Sequence, residues 1–342
     1  MPRAHHCLAL LLALATACRT AAPAIGTAPA SAPSAVAAPP AASGGAAAYV
    51  VASFTGVFAL DGDGRVIGRL LQLPPLSFAS GATLHPSGGR IAFALTSGNL
   101  TGAAAPNGFG SDIYLVNLDG SGLRKVVDHE QENVFYSGPA FDPTGRLLYF
   151  QRRAAVTRDG SPGTDDAIER LDLETGARRR VLADGTDPTL SPDGRTLVYV
   201  RLIRGQVDTL WAADADGGNP RPFLKVKDRF SYVQTPRFAP AGCQIVFSGA
   251  GRTLVNRDRA SAGARSAHLG IPSELYLSPC DGSSITTIGE TYDDVAPVWS
   301  TDGSRIGYAL GGAVSVLTLA TRELRKLAQG DAFSFGDLVW LH

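Results

Sequence analysis

The chain has 342 residues, 44% of them hydrophobic and 18% charged, with 31 basic and 31 acidic side chains. That length buries a large core and holds one big all-β domain or two smaller ones. A formal net charge of zero excludes the basic footprint of a nucleic-acid binder at whole-chain level, and past residue 20 no apolar run approaches the roughly 20 residues that span a bilayer.

Residues 1–17, MPRAHHCLALLLALATA, have the layout of a secretory signal peptide: Arg3 and two histidines, an apolar stretch from Leu8 to Ala15, then small residues. Cys18 follows. The segment Leu14-Ala-Thr-Ala-Cys18 resembles a bacterial lipobox, in which the cysteine thiol receives diacylglycerol and becomes the mature N-terminus; Ala15 stands where that pattern prefers leucine. The other reading is cleavage near Ala17 with Cys18 left as a thiol. From there to residue 47 the chain is almost wholly Ala, Pro, Ser, Gly and Thr. Such a segment cannot bury enough apolar surface to offset its ordering entropy, so a disordered tether is expected over 18–47. The expectation is an exported, membrane-anchored lipoprotein, periplasmic or at the cell surface, held by lipid and not spanning.

Residues 48–342 carry repeats. ATLHPSGGRIAFAL (82–95), PAFDPTGRLLYFQ (139–151), PTLSPDGRTLVYV (188–200), PRFAPAGCQIVFS (236–248) and PVWSTDGSRIGYA (297–309) share a strand end, a tight turn and an alternating apolar strand. The turn Pro or Thr recurs at 86, 143, 192, 240 and 301, spacings of 57, 49, 48 and 61, close to the period of propeller blades. Pro presets the first central turn position and Asp-Gly supplies the rest of a tight hairpin. Each unit has a second half, such as DIYLVNLDGSGLRKVV (112–127), which reads as strand, polar turn, strand. The unit is therefore four antiparallel strands. Residues 48–73 read as the last three strands of a blade, and 333–341 as a lone first strand. Joined, they complete a sixth blade and close the ring, which removes its open edges. Six blades are expected; seven is the alternative.

Leu190-Ser-Pro-Asp-Gly194 with Leu197-Val-Tyr199, Phe141-Asp-Pro-Thr-Gly145 with Leu148-Tyr-Phe150, and Trp299-Ser-Thr-Asp-Gly303 with Ile306-Gly-Tyr308 resemble the TolB-type, WD-like propeller repeats of bacteria. The resemblance covers essentially residues 48–342 and implies the all-β propeller fold. TolB-type proteins place an α/β domain ahead of the propeller, where this chain has the tether, so the resemblance is to the propeller alone.

Cys243 opens the second strand of the 236–289 blade and Cys280 closes its third. These are antiparallel neighbours, and a cross-strand disulfide is expected in an exported protein; two free thiols are the alternative.

In a four-stranded blade the loops after strands one and three share a face, and those after two and four share the other. The first face has short uniform turns. The second holds the irregular segments 96–111, 128–138, 151–166, 225–235, 248–272 and 290–295. Long loops gathered on one face of a rigid scaffold are the usual place for binding. The candidate partner-binding residues there are Phe135, Tyr136, Arg152, Arg153, Phe230, Tyr232, Arg257, Tyr292, Asp293 and Asp294. Aromatic and arginine side chains together suit a protein interface or an anionic or glycan ligand; the bland alternative is solvated loop residues with some aromatics packed inward.

No Gly-x-Ser-x-Gly elbow and no His-Glu-x-x-His occurs. His129 and His268 fall on the long-loop face, and a catalytic or metal role requires them to meet beside Asp128 or Glu130. His85 reads as a turn residue. The reading is a monomeric, non-catalytic protein-binding or scaffold module at the cell envelope, with no metal, cofactor or nucleic acid. The alternative is a carbohydrate lyase or hydrolase using the central channel.

Overall fold

The computed structural model describes residues 46–97, 107–225, 230–251, 273–291, 293–330, 333 and 336–341. The expected signal peptide, Cys18 and nearly all of the tether lie outside them.

The chain folds as six four-stranded antiparallel sheets arranged as the blades of a propeller. Blade I takes its inner strand from the end of the chain, Asp337–Trp340, and continues with Tyr49–Ala52, Gly56–Leu60 and Val66–Gln72. Blade II is Ser77–Leu84, Arg90–Ser97, Gly110–Asn117 and Arg124–Val127; blade III is Val134–Phe141, Leu147–Arg158, Ser161–Asp172 and Arg178–Ala183. Blade IV is Gly185–Leu190, Thr196–Ile203, Gln206–Asp214 and Arg221–Pro222. Blade V is Phe230–Phe238, Gln244–Gly251, Glu274–Pro279 and Thr286–Glu290; blade VI is Val298–Trp299, Arg305–Leu310, Ala313–Thr318 and Leu324–Gln329. The closing pair joins Tyr49 to Trp340 and Ala52 to Asp337 in antiparallel register.

The core is divided into wedges between neighbouring blades. Along the second strand of blade IV, Val198 and Val200 pack toward blade V with Phe247 and Tyr276. Leu197 and Tyr199, one residue out of step, pack toward blade III with Tyr149 and Ile168. A strand buried on both faces reads as a nearly unbroken apolar run, which is the pattern of LVYV and of IAFAL. The same division recurs at every junction, including blade VI against blade I, where Val314 and Val316 meet Tyr49, Phe58 and Trp340.

The turns between first and second strands satisfy themselves. Ser191 Oγ donates to Asp193 Oδ1 at 2.5 Å and accepts from Thr196 N–H at 2.9 Å. Ser300 and Asp302 repeat this, and hydrogen bonds from Ser300 and Ser304 hold the Asp302 carboxyl down at about 2. His85 takes the serine position in blade II. Ser87 N–H donates to His85 Nδ1 at 3.1 Å, and Nε2 lies 3.2 Å from the Gly145 carbonyl of blade III and 3.0 Å from Arg90 Nη2. Burial and the Arg90 charge push the ring below its ordinary 6.5. The fold therefore resists proton uptake here. The contribution of the neutral ring is complete above pH 6.5 and is lost as pH falls through the depressed folded-state value. His85→Ser is expected to flatten the fall in stability between pH 7 and 5, followed by urea unfolding at pH 7, 6 and 5. An unchanged slope would assign that fall to other groups.

Residues 151–166, expected as an irregular loop, are instead a long hairpin. Leu147–Arg158 and Ser161–Asp172 pair throughout, around Asp159 and Gly160 with φ of 50° and 74°. Two positive-φ residues make the turn whose twist matches a two-residue hairpin.

The inner strands share one irregularity. In blades II to V the ladder slips by a residue at Gly81, Gly138, Asp187 and Thr235, each with positive φ, from 46° to 63°. In blades III to V a proline follows, which cannot donate to the ladder and fits only at a bulge or edge.

Candidate functional site: the propeller axis and the long-loop face

The slipped residues stand at one level around the axis. A Cβ on Gly81 would lie 2.9 Å from Gly138 N, and one on Gly138 would lie 3.7 Å from Asp187 Oδ1. Asp187 Oδ2 accepts from Thr235 N–H at 3.1 Å, and Asp337 Oδ2 accepts from Gly81 N–H at 2.5 Å. Arg237 follows two residues beyond Thr235 on the same inner strand and is half-buried. Burial lowers its pKa, and Asp187 and Asp337 oppose that shift. Asp337 belongs to blade I and Arg237 to blade V, with blade VI between them. The only hydrogen bond of the guanidinium among the described residues is from Nη1 to the Pro236 carbonyl, at 2.9 Å. No carboxylate described here lies within 4.0 Å of it.

The sequence-derived candidates are distributed as follows. Tyr136 is fully buried, donates to Glu130 and accepts from Arg178, whose guanidinium lies 4.6 Å from its ring centre. Burial and Glu130 push the phenol well above its usual value. Arg152 donates from Nε to Glu130 at 2.8 Å and from Nη1 to Asp165 at 3.2 Å. Burial works to raise the Glu130 carboxyl, but hydrogen bonds from Tyr136 and Arg152 outweigh it and hold the group below its ordinary range. Arg178 also pairs with Glu169, and Arg180 with Asp165 at 3.0 Å. Arg152, Arg158, Arg178 and Arg180 thus meet Glu130, Asp165 and Glu169 at blade III in one ion-pair network. Arg153 pairs with the buried Asp166 at 2.6 Å. Phe135 stacks edge-on with Phe109 at 5.2 Å, and Phe230 packs edge-on against Phe247 and Tyr276. Tyr232, Gln234 and Asp294 form a hydrogen-bonded chain of 2.9 and 3.2 Å. Asp293 is buried, and its Oδ1 accepts from Asp294 N–H. Arg257 and Tyr292 lie outside the described residues.

His129 is also buried. Its Nδ1 lies 2.6 Å from Asp112 Oδ1 and its Nε2 3.2 Å from the Gly108 carbonyl. Asp112, Asp128 and His129 have the spacing of a metal site, but the Lys125 ammonium already bridges both carboxylates at 2.8 Å. Those hydrogen bonds overcome burial and raise the lysine pKa. His268, its expected counterpart, lies outside the described residues. Cys243 and Cys280 form a disulfide with Cα atoms 5.1 Å apart, and Cys280 N–H donates to the Cys243 carbonyl.

Sequence reading missed an apolar corner of the long-loop face. Leu76 is 72% exposed and Phe54 41%, and the Phe54 ring packs 4.8 Å from Phe78. Leu76 has φ of 63°, on a turn fixed by Ser77 N–H and hydroxyl donating to the Pro74 carbonyl. Ile203, 49% exposed, stands on the same face. The one available signal was Pro74-Pro75-Leu76, an apolar residue in a turn.

The fold is shared with TolB. TolB from Acinetobacter baumannii aligns with a TM-score of 0.62 at 15% identity, over 86% of this chain and 66% of that one. This chain thus spans just under two thirds of TolB. A chain of the nidogen/laminin complex aligns at 0.62 and 13% identity, over 86% of this chain and 98% of that one. Hydrazine synthase from Kuenenia stuttgartiensis aligns at 0.60 and 13%, over 87% and 47%. Identity this low establishes a common fold alone. No protein-family model and no curated protein matches the sequence.

Proposed function

We propose that this is an exported, lipid-anchored propeller acting as a non-catalytic docking module at the cell envelope, which takes a protein partner on its long-loop face. One observation carries the reading: Leu76, Phe54 and Ile203 project from that face on short connections that fix them. A leucine in the left-handed region costs about 1–2 kcal/mol, and such strain collects at functional sites. Apolar anchors held in place before binding reduce the ordering cost of association. The lipobox-like segment ending at Cys18 and the TolB-like repeats support placement at the envelope.

The test is cross-linking in intact bacterial cells. A photo-reactive amino acid placed at Leu76 of the full chain is expected to give a discrete protein adduct, lost on adding Phe54→Ser. The same probe at Leu123, 47% exposed on the opposite face, is expected to give none. Equal adducts from both positions, or none from Leu76, would overturn the proposal.

A further inference from the structure

The axial group is separate from the docking corner and has its own chemistry. Among the described residues the Arg237 guanidinium has a single hydrogen bond, from Nη1 to the Pro236 carbonyl, which leaves four of its five N–H donors for other partners. Asp187 faces the same space from blade IV, its carboxylate oriented by Thr235 N–H, and Asp337 faces it from blade I, oriented by Gly81 N–H. If the three side chains were a structural salt bridge, Arg237 would lie in contact with a carboxylate. It does not, so opposite charges are held apart around a common space. A planar guanidinium recognises a carboxylate through paired N–H bonds. A lone anion there would meet the repulsion of two aspartates, and a lone cation that of Arg237. A ligand carrying both charges satisfies both sets.

We infer that the propeller axis binds an α-amino-acid head group, its carboxylate on Arg237 and its ammonium toward Asp187 and Asp337. The same head group occurs on a free amino acid and on the side-chain end of a diamino acid within a peptide. Gly81 lets the inner strands of blades II and III come together at the level of the two aspartates, since a Cβ there would lie 2.9 Å from Gly138 N.

The experiment is isothermal titration of the full chain in detergent. The probes are L-alanine, L-glutamate and L-lysine as free amino acids, and L-Ala-γ-D-Glu-meso-diaminopimelate as the peptide-borne form. N-acetylalanine and alaninamide each lack one charge. Binding of a free amino acid, or of the tripeptide alone, is expected, and which of them binds identifies the source. Each blocked alanine derivative is expected to bind at least about tenfold more weakly than alanine, and Arg237→Met to abolish binding. Asp187→Asn, which keeps the acceptor for Thr235 N–H, is expected to weaken the zwitterion and leave acetate binding no weaker, a split that a structural role would not produce. Arg237→Lys is the control if Arg237→Met does not fold. Comparable binding of the blocked derivatives, retention in either folded Arg237 variant, or no binding of any probe at 10 mM (roughly the weakest affinity of interest) would overturn the assignment. None of these outcomes bears on cross-linking at Leu76.

Discussion

Replacement of Trp340 by alanine is expected to cost about 3–5 kcal/mol of folding free energy, the range for removing a large buried aromatic. Trp340 is 3% exposed on the strand that completes blade I. Its ring meets Tyr49 edge-on at 5.0 Å and lies under the Arg305 guanidinium at 4.9 Å, which joins blade VI to blade I. Together with Leu338 it also fills the space above Gly307, where a Cβ would come within 2.6 Å of Leu338. The loss is therefore both of apolar burial and of the ring's closure. Urea unfolding of Trp340→Ala beside Phe247→Ala, a buried aromatic within blade V, separates the two. The Trp340 variant is expected to show in addition early proteolytic cleavage in blade I. A cost below about 1 kcal/mol would show that closure does not depend on this side chain.

Removing the disulfide is expected to cost about 4 kcal/mol in the chain-entropy picture, because the bond closes a loop with a sequence separation of 37. The bridge adds one rung to the ladder between the second and third strands of blade V, just past Gln244 and Pro279. Thermal and urea unfolding of the Cys243→Ala/Cys280→Ala chain measures the loss. Dithiothreitol is expected to lower the wild type to the same level and to leave the double variant unchanged. Equal stability of the oxidised wild type and the variant would refute the bond's contribution.

The blades were legible because their signals are local. Asp193-Gly194 and Asp302-Gly303 mark turns by backbone chemistry, and runs such as LVYV mark strands buried on both faces. The closing pair was legible from the same counting, since three strands at one end and one at the other complete a blade. The axis was not. Asp187, Arg237 and Asp337 lie far apart in sequence, and only ring closure brings them together, although Gly138-Pro139, Asp187-Pro188 and Thr235-Pro236 mark where the inner strands slip. Phe135 and Tyr136 illustrate a second limit. Adjacent strand residues point to opposite faces; Tyr136 goes fully into the core while Phe135 stays partly exposed. The hairpin at 151–166 was obscured because charge pairs such as Arg153 with Asp166, which stand opposite in the ladder, replace apolar alternation.

The pairing of Tyr49 with Trp340 also sets an order of events during synthesis. Blades II to VI can assemble as the chain emerges, but blade I waits for Asp337–Trp340. Until then Val51 and Leu60, both fully buried in the finished ring, lack their innermost cover. A chain lacking Asp337–Trp340 would keep blades II to VI and expose that surface. The pairing of Tyr49 with Trp340 thus makes burial of this cluster conditional on the arrival of residues 337–340.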